Sequence, residues 1–254
     1  MAYFSTAVNQ GRRPYQEDTH ANQQLTPSHN FFGIFDGHGG GQVSAMCCQM
    51  FPEVIKQGIL DTPHELGQTV HNSFYIVDNV AFHMNLPHVG STAVFCLLTG
   101  DAIWFANAGD SMTMVGLTDG SSMMMSEEHK VEKEVQRIQS EGGLVTYFDG
   151  VARVNGNLNV SRAIGDHNLK KWVNCNPCIR SISSGLDKIK YILLASDGVW
   201  DVFNDKDLNN IVMQHTSQSG DKKEIIDNML INIISLAQAR GSTDNITVTY
   251  VQLK

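Results

Sequence analysis

Six acidic side chains lie at strand ends or turns in separate parts of the chain, and carboxylates in such positions can hold metal ions. Asp36 directly follows the apolar run 31–35 and precedes Gly37, and Asp197 closely follows the apolar run 191–195. A strand end holds a side chain with little positional freedom, and glycine lets the backbone turn and approach a ligand. The complete set is Glu17, Asp18, Asp36, Asp197, Asp201 and Asp244.

The type of these residues indicates hydrolysis of a phosphate ester. Carboxylates brought together would repel one another by roughly several kcal/mol, and divalent cations would remove that repulsion. Ligation by oxygen alone favours Mg²⁺ or Mn²⁺, and two such ions about 3.5–4 Å apart can share a bridging water and make it available as hydroxide. Arg13 offers a planar array of donors for phosphate, and His38 can supply a proton to a leaving oxygen. Acids scattered over unrelated turns are the alternative.

Composition excludes several other classes of protein. The chain has 254 residues, a net charge of −8 and five cysteines. The acidic balance argues against nucleic acid as a partner, and no run of about eighteen apolar residues predicts a membrane span. The odd cysteine count favours a reducing compartment, and the first residues lack the pattern of a signal peptide. We therefore expect a cytoplasmic, or nuclear, monomer with one domain over residues 1–254.

Apolar periodicity predicts the elements that must position these residues. Thr62-Pro63-His64-Glu65 has the pattern of a capping box that starts a helix, and Gly142 and Gly143 are expected to end another. Strands are predicted at Tyr3–Asn9, 20–24, 31–35, the meander 90–118, 191–195 and 246–253; helices at 42–60, from 62 onward, 130–141, 204–215 and 222–240; and an irregular segment at 168–186.

The motifs, taken in order, resemble those of the metal-dependent, type 2C protein serine/threonine phosphatases. Each motif alone is a weak signal, whereas their shared order over nearly the whole chain is a strong one. The matching segments are Arg13 with Gln16-Glu17-Asp18, Phe35-Asp36-Gly37-His38-Gly39-Gly40, Gly90-Ser91-Thr92-Ala93, Ala108-Gly109-Asp110-Ser111, Arg153-Val154-Asn155-Gly156, Val160-Ser161-Arg162-Ala163-Ile164-Gly165-Asp166, Ser196-Asp197-Gly198-Val199-Trp200-Asp201 and Thr243-Asp244-Asn245.

This resemblance implies an α+β fold, a four-layer α-β-β-α sandwich of two antiparallel sheets flanked by helices. It also implies two divalent cations, Mg²⁺ or Mn²⁺, at one edge of the sandwich. By the pattern of the family, Asp36 bridges both ions, Asp197 and Asp244 complete one site, and Glu17 and the carbonyl of Gly37 serve the other.

The resemblance further implies the hydrolysis of phosphoserine and phosphothreonine in phosphoprotein substrates, with a bridging, metal-bound hydroxide as the nucleophile. Asp18 would orient the metal-bound water. Arg13 would hold the substrate phosphate, and His38 would protonate the serine or threonine oxygen, since an alkoxide is a poor leaving group.

Three positions depart from the family pattern. Met112 stands where an arginine is usual, Glu128 stands where an aspartate is common, and the segment between Asp166 and Tyr191 is short. In the family the aspartate helps to bind a third, weaker metal together with Asp197 or Asp201. Glu128 keeps that charge, and the alternative is that it is a solvated residue ahead of a helix N-terminus.

Two other functions remain open from the sequence. One is a catalytically weak relative that acts as a phosphoprotein-binding regulator, which the presence of all the predicted metal acids disfavours. The other is a different two-metal phosphoesterase, such as a nuclease, against which the acidic charge counts.

Overall fold

The computed structural model describes residues 3–253, and two antiparallel sheets of five strands each form its centre. Sheet I contains, in spatial order, β1 (Tyr3–Asn9), β15 (Ile246–Gln252), β14 (Ile189–Ala195), β8 (Met112–Leu117) and β9 (Ser122–Met124). Sheet II contains β13 (Cys178–Ile182), β7 (Ile103–Ala108), β6 (Ala93–Leu98), β3 (His29–Phe35) and β2 (Thr19–Thr26).

Six helices are described, and the longer ones cover the outer faces of the two sheets. They are α1 (Gln42–Asp61), α2 (Leu66–His83), α3 (Val135–Ser140), α4 (Asp197–Trp200), α5 (Asp205–Thr216) and α6 (Lys222–Ala239). Helices α1 and α2 pack on sheet II, whereas α4, α5 and α6 pack on sheet I. Short 3-10 helices lie at Val131–Lys133 and Leu186–Lys188.

Strand β3 shows why the chain forms four layers. Phe31 and Phe35 point to one face and pack with α1 and α2, whereas Phe32 and Ile34 point to the other face and pack between the sheets. Side chains alternate faces along a strand, so a continuous apolar run is buried on both sides. Strand β14 follows the same rule against sheet I and its helices. The predicted α-β-β-α sandwich is confirmed.

A small ribbon and a hairpin stand beside the main sheets. The ribbon pairs β4 (Gly37–His38) with β5 (Gly90–Ser91), and β5 in turn with β12 (Ile164–Gly165). The hairpin consists of β10 (Val145–Phe148) and β11 (Val151–Val154). The ribbon matters for function because it carries His38.

The capping box predicted at residues 62–65 is wrong. The backbone N–H and the hydroxyl of Thr62 both donate to the carbonyl of Gly58, at 2.9 and 3.1 Å, so Thr62 ends α1. Helix α2 begins at Leu66 after Glu65, without a side-chain cap. The pattern assigns the hydroxyl of Thr62 to the start of α2, but this hydroxyl bonds to the last turn of α1.

Two further predictions need correction. The segment 168–186, predicted as irregular, contains β13 at the edge of sheet II, where its partly exposed residues give no alternating apolar pattern. The helix predicted over 130–141 is divided into the 3-10 turn Val131–Lys133 and α3, which Gly142 and Gly143 end as expected. Among residues 3–253, no helix has the length and hydrophobicity that crossing a bilayer requires.

Candidate active site

The antiparallel register brings most of the predicted site residues to one edge of the sandwich. Ala195 pairs with Val248 in sheet I, and Thr19 pairs with Phe35 in sheet II. The acids next to these strand ends, Asp197 and Asp244 for sheet I and Asp18 and Asp36 for sheet II, therefore lie at this edge. A cavity of about 890 Å³ opens at this edge. Among its lining residues are Arg13, Glu17, Asp36, Gly37, His38, Asp197 and Asp244.

Asp36 and Asp197 are carboxylates whose charged forms the surroundings disfavour. Burial raises the pKa of Asp36 well above its ordinary value, and the charges of Asp18, Asp197 and Asp110 add to the effect. Burial also raises the pKa of Asp197 well above its ordinary value, and the charges of Asp110 and Asp244 raise it further. Negative groups therefore crowd one small volume, which a bound cation would stabilise.

Asp18 and Asp110 lie deeper, with exposed fractions of 6% and 2%. Oδ2 of Asp18 accepts hydrogen bonds from the hydroxyls of Ser196 and Thr247, at 2.9 and 2.7 Å. Burial raises the pKa of Asp18 and of Asp110 to about 6 each. Asp110 lines the cavity. The two hydroxyls tie Asp18 to Ser196, which precedes Asp197, and to Thr247 on β15.

The loop between β1 and β2 carries Arg13 and Glu17 and is tied to the turn before β15. Arg13 donates to Oδ2 of Asp244 at 2.6 Å. Asn245 accepts from the backbone N–H of Glu17 at 2.8 Å, and its amide donates to the carbonyls of Gln10 and Tyr15. These contacts bring the phosphate-binding candidate close to two metal-binding candidates.

His38 is held by a carboxylate. Its Nε2 lies 2.7 Å from Oδ2 of Asp166, which is buried. Burial lowers the pKa of His38, but the hydrogen bond to Asp166 and the charge of Asp166 outweigh it and raise the pKa above its ordinary value. Gly90 lies between the two residues and leaves room for their contact, because a Cβ there would lie 2.0 Å from Asp166 Oδ2 and 2.5 Å from His38 Nε2.

Glu128 and Asp201, the candidates for a third metal, are placed around a lysine. Lys130 Nζ contacts Asp201 at 2.5 Å and Glu128 at 3.3 Å, and Lys133 contacts Glu128 at 2.7 Å. Glu128 lines a second cavity with Met112 and Trp200 rather than the cavity of Asp36. The third metal site remains a prediction.

Several buried carboxylate oxygens at the site have no hydrogen-bond partner, which fits a cation-binding role. They are Oδ1 of Asp18, Oδ2 of Asp110 and Oδ1 of Asp197. A buried acceptor without a partner is costly, and oxygen donors of this type suit Mg²⁺ or Mn²⁺. In the described part of the chain no three carboxylate, imidazole or thiolate residues already form a complete ligand set.

Sequence reasoning assigned no role to three residues that the fold brings to the site. Asp110 follows the apolar strand β7, the same signal that identified Asp36 and Asp197, and could have been found by it. Asp166 and Asn245 act through contacts with residues far away in the chain, which no local pattern reveals.

Comparison with known proteins defines the class. The sequence profile of the family described as Protein phosphatase 2C matches residues 2–246. The chain is 34% identical to the "Probable protein phosphatase 2C 30" of Oryza sativa over 86% of its own length and 60% of the relative. It is 31% identical to "Protein phosphatase 2C 37" of Arabidopsis thaliana over 96% of its length and 70% of the relative.

Solved structures share the fold. The structure of a C. elegans sex determining protein aligns with a TM-score of 0.88 and 25% identity, covering 100% of this chain and 65% of that one. A serine-threonine phosphatase 2C from Toxoplasma gondii aligns with a TM-score of 0.81 and 23% identity, covering 100% and 95%. This chain therefore belongs to the protein phosphatase 2C family, as the motifs predicted, and spans about three fifths of the rice relative.

Proposed function

We propose that the chain hydrolyses phosphoserine and phosphothreonine in proteins with the help of two divalent cations, Mg²⁺ or Mn²⁺. One observation carries this proposal: a single cavity gathers a cluster of acids, an arginine and a histidine from distant parts of the chain. Crowded carboxylates would hold the cations, a guanidinium would hold a phosphate, and an imidazole would donate a proton.

The ligands that we assign follow the family pattern. Asp36 would contact both cations, Asp197 and Asp244 would complete one site, and Glu17 with the carbonyl of Gly37 would serve the other. When bound, the cations supply positive charge that neutralises the phosphate and makes water acidic enough to act as a nucleophile near neutral pH. A side chain at position 37 would lie 2.6 Å from the carbonyl of Glu17, so glycine is needed where the backbone itself is a ligand.

The remaining residues act on water, phosphate and leaving group. Asp18 accepts two hydroxyl hydrogen bonds on one oxygen and keeps the other free to accept from the attacking water. Arg13 is half exposed at the mouth of the site and can turn its guanidinium from Asp244 to the substrate phosphate. His38 donates a proton to the departing serine or threonine oxygen while Asp166 holds its ring.

A phosphopeptide assay tests this function. Phosphate release from a phosphoserine peptide should require added Mn²⁺ or Mg²⁺ and should stop after chelation. Asp36→Asn should remove nearly all turnover and weaken Mn²⁺ binding measured by calorimetry, whereas Asp187→Asn on an exposed surface turn should change neither. Full turnover after exhaustive chelation would refute the metal dependence. Tight phosphopeptide binding without turnover would favour the regulatory alternative.

The role of His38 is tested by varying the leaving group. General acids contribute roughly 10²–10⁴-fold, and they contribute least when the leaving group is already stable. His38→Ala should therefore slow a phosphoserine peptide far more than an aryl phosphate. Equal losses on both substrates would contradict the role of His38 as the general acid.

A further inference from the structure

An acidic residue on the outer helix α2 contacts the strand β12, which Asp166 follows. Oδ1 of Asp78 accepts a hydrogen bond from the backbone N–H of Gly165 at 2.9 Å. The same oxygen lies 2.6 Å from Nζ of Lys170, which also donates to the carbonyl of Ala163 at 3.0 Å. The Asp78 side chain is 13% exposed, so these contacts are formed largely out of water. Asp78 and Lys170 thus bind the backbone on both sides of Ile164.

The segment 164–166 needs such support because its backbone is unusual. Gly165 has φ of +83° and Asp166 has φ of +50°, although only glycine adopts the left-handed region without cost. Gly165 also packs closely, since a Cβ there would lie 2.5 Å from the carbonyl of Val89. A residue held in such a conformation requires contacts that over-determine it.

The conformation aims Asp166 across the ribbon at His38. Gly165 pairs with Gly90, and Gly90 pairs with His38, so the three residues stand side by side on neighbouring strands. The carboxylate of Asp166 reaches over Gly90 to Nε2 of His38 at 2.7 Å. A carboxylate accepts only, so Nε2–H faces Asp166, and in the protonated ring the hydrogen on Nδ1 is the one left to donate to a leaving oxygen.

We infer that Asp78 is a positioning residue, which holds the segment 164–166 so that Asp166 fixes the ring of His38 with its Nδ1–H available to the leaving oxygen. The inference rests on the proposed function, in which His38 is the general acid. Asp78 is not among the residues that line the substrate cavity. It acts through the hydrogen bond from Gly165 and the ion pair with Lys170, and Nε2 of His167 lies 3.9 Å from its Oδ1.

The experiment compares substrates in the chain of residues 1–254 with Mn²⁺ bound. Asp78→Ala removes the acceptor and should lower kcat for a phosphoserine peptide by roughly tenfold or more, less than loss of the general acid itself. Turnover of an aryl phosphate should fall less than threefold, roughly, because its leaving group needs little protonation. Asp78→Asn keeps Oδ1 as an acceptor and should restore most of the ratio. Asp78→Leu, of similar volume but without an acceptor, replaces the alanine variant if that variant does not fold.

A matched control separates positioning from stability. Asp227 on α6 accepts a hydrogen bond from Ser5 at 2.6 Å in the opposite helical layer. Asp227→Ala should lower the Tm without changing the ratio of the two substrates. A second readout needs no turnover: at alkaline pH, where the rings are neutral, long-range proton–nitrogen spectra of the imidazoles should show the Nε2–H tautomer of His38 in the natural chain and a mixture of tautomers in Asp78→Ala. The His38 signal is identified by its loss in His38→Gln.

The outcomes distinguish this inference from the proposed function. Equal losses of both substrates in His38→Ala overturn the general-acid role and this inference with it. A clear leaving-group preference in His38→Ala, together with an unchanged substrate ratio and imidazole spectrum in Asp78→Ala and Asp78→Leu, overturns the inference alone. A changed ratio that asparagine restores supports it.

Discussion

The guanidinium of Arg13 lies 2.6 Å from Oδ2 of Asp244, so the residue proposed to bind phosphate is paired with a residue proposed to bind metal. A cation that binds Asp244 competes with this pair, and the released guanidinium then becomes available to the substrate. Binding of metal and binding of phosphate are therefore expected to favour each other.

Replacing Arg13 should have opposite effects on the two ligands. Without substrate, Arg13→Ala should tighten Mn²⁺ binding by at most about fivefold, because an exposed ion pair is worth about 0–1 kcal/mol. With phosphopeptide, the same variant should raise KM by roughly tenfold or more, since it removes a charge-assisted contact with phosphate. Calorimetric titration with Mn²⁺ and steady-state kinetics measure the two effects.

Arg12→Ala is the matched control for this prediction. Arg12 is exposed on the same loop and carries the same charge, and its backbone N–H bonds to the carbonyl of Thr243 at 3.1 Å, which the substitution leaves intact. It should alter neither Mn²⁺ affinity nor KM. A tighter Mn²⁺ affinity in Arg12→Ala as well would show that general charge, rather than the contact with Asp244, is responsible.

The part of the site that could be predicted from sequence is the part that strand ends determine. Asp36 and Asp197 each follow an apolar run that is buried on both faces, so the strand and the position of its last side chain could both be read. The contact between His38 and Asp166 spans 128 residues and depends on the missing side chain of Gly90, and no local pattern contains that information.

Surface pairings were equally inaccessible to sequence reasoning. Glu128 could be read as a metal ligand or as a solvated acid, and the structure instead pairs it with Lys130 and Lys133. Met112, where the family usually has arginine, packs with the helices outside sheet I, and its carbonyl accepts from Trp200 at 3.1 Å. A long side chain can contact several nearby partners, and only the folded chain determines which of them it contacts.

Protonation of buried Asp110 should make the stability of the protein without metal depend on pH. Its pKa is raised from 3.8 to about 6, mainly by burial, so the folded state binds the proton more tightly than the unfolded state does. The resulting destabilisation is absent below about pH 4, grows as the pH rises through 6, and is complete above it. A shift of this size corresponds to on the order of 3 kcal/mol.

Burial lowers the pKa of His129 to about 4, so His129 gives the stability an opposite dependence on pH. Comparing Asp110→Asn with the natural chain at each pH cancels the contribution of His129 and isolates that of Asp110. In chelator, the gain in Tm of Asp110→Asn over the natural chain should increase from pH 4 to pH 7. Asp187→Asn, on an exposed turn, should give no such trend. A gain that stays constant or shrinks with rising pH would contradict the prediction.

Alanine at position 90 should separate His38 from Asp166 without touching a predicted metal ligand. Its Cβ would lie 2.0 Å from Asp166 Oδ2 and 2.5 Å from His38 Nε2, and the backbone of Gly90 is not left-handed, so the nearest conflict is with these two side chains. We expect a stability loss of about 1–3 kcal/mol, as for other overpacked sites. Turnover of a phosphoserine peptide should fall more than that of an aryl phosphate. Gly100→Ala, where a Cβ meets nothing within 4 Å, should leave the turnover of both substrates unchanged. An unaltered substrate ratio in Gly90→Ala would show that the contact is dispensable.

The last prediction concerns Lys130, which lies between Glu128 and Asp201 where the family pattern suggests a third, weaker metal. Burial lowers the pKa of Lys130, but the hydrogen bond to Asp201 and the charges of Asp201, Asp110 and Glu128 outweigh it and raise the pKa, so the ammonium stays charged. A third cation must displace this ammonium.

Lys130→Met keeps the apolar stem and removes the charge, so it should tighten the weakest Mn²⁺ binding event by roughly tenfold, which is about 1.4 kcal/mol. The two tight events should change little. Lys133→Met, which also removes a contact with Glu128 but leaves Asp201 paired, should produce a smaller shift. Adding Glu128→Ala to Lys130→Met should abolish the gain if Glu128 is a ligand. Calorimetric titration of the four proteins decides the matter: identical weak binding in all of them would mean that neither Glu128 nor Lys130 takes part in binding a third metal.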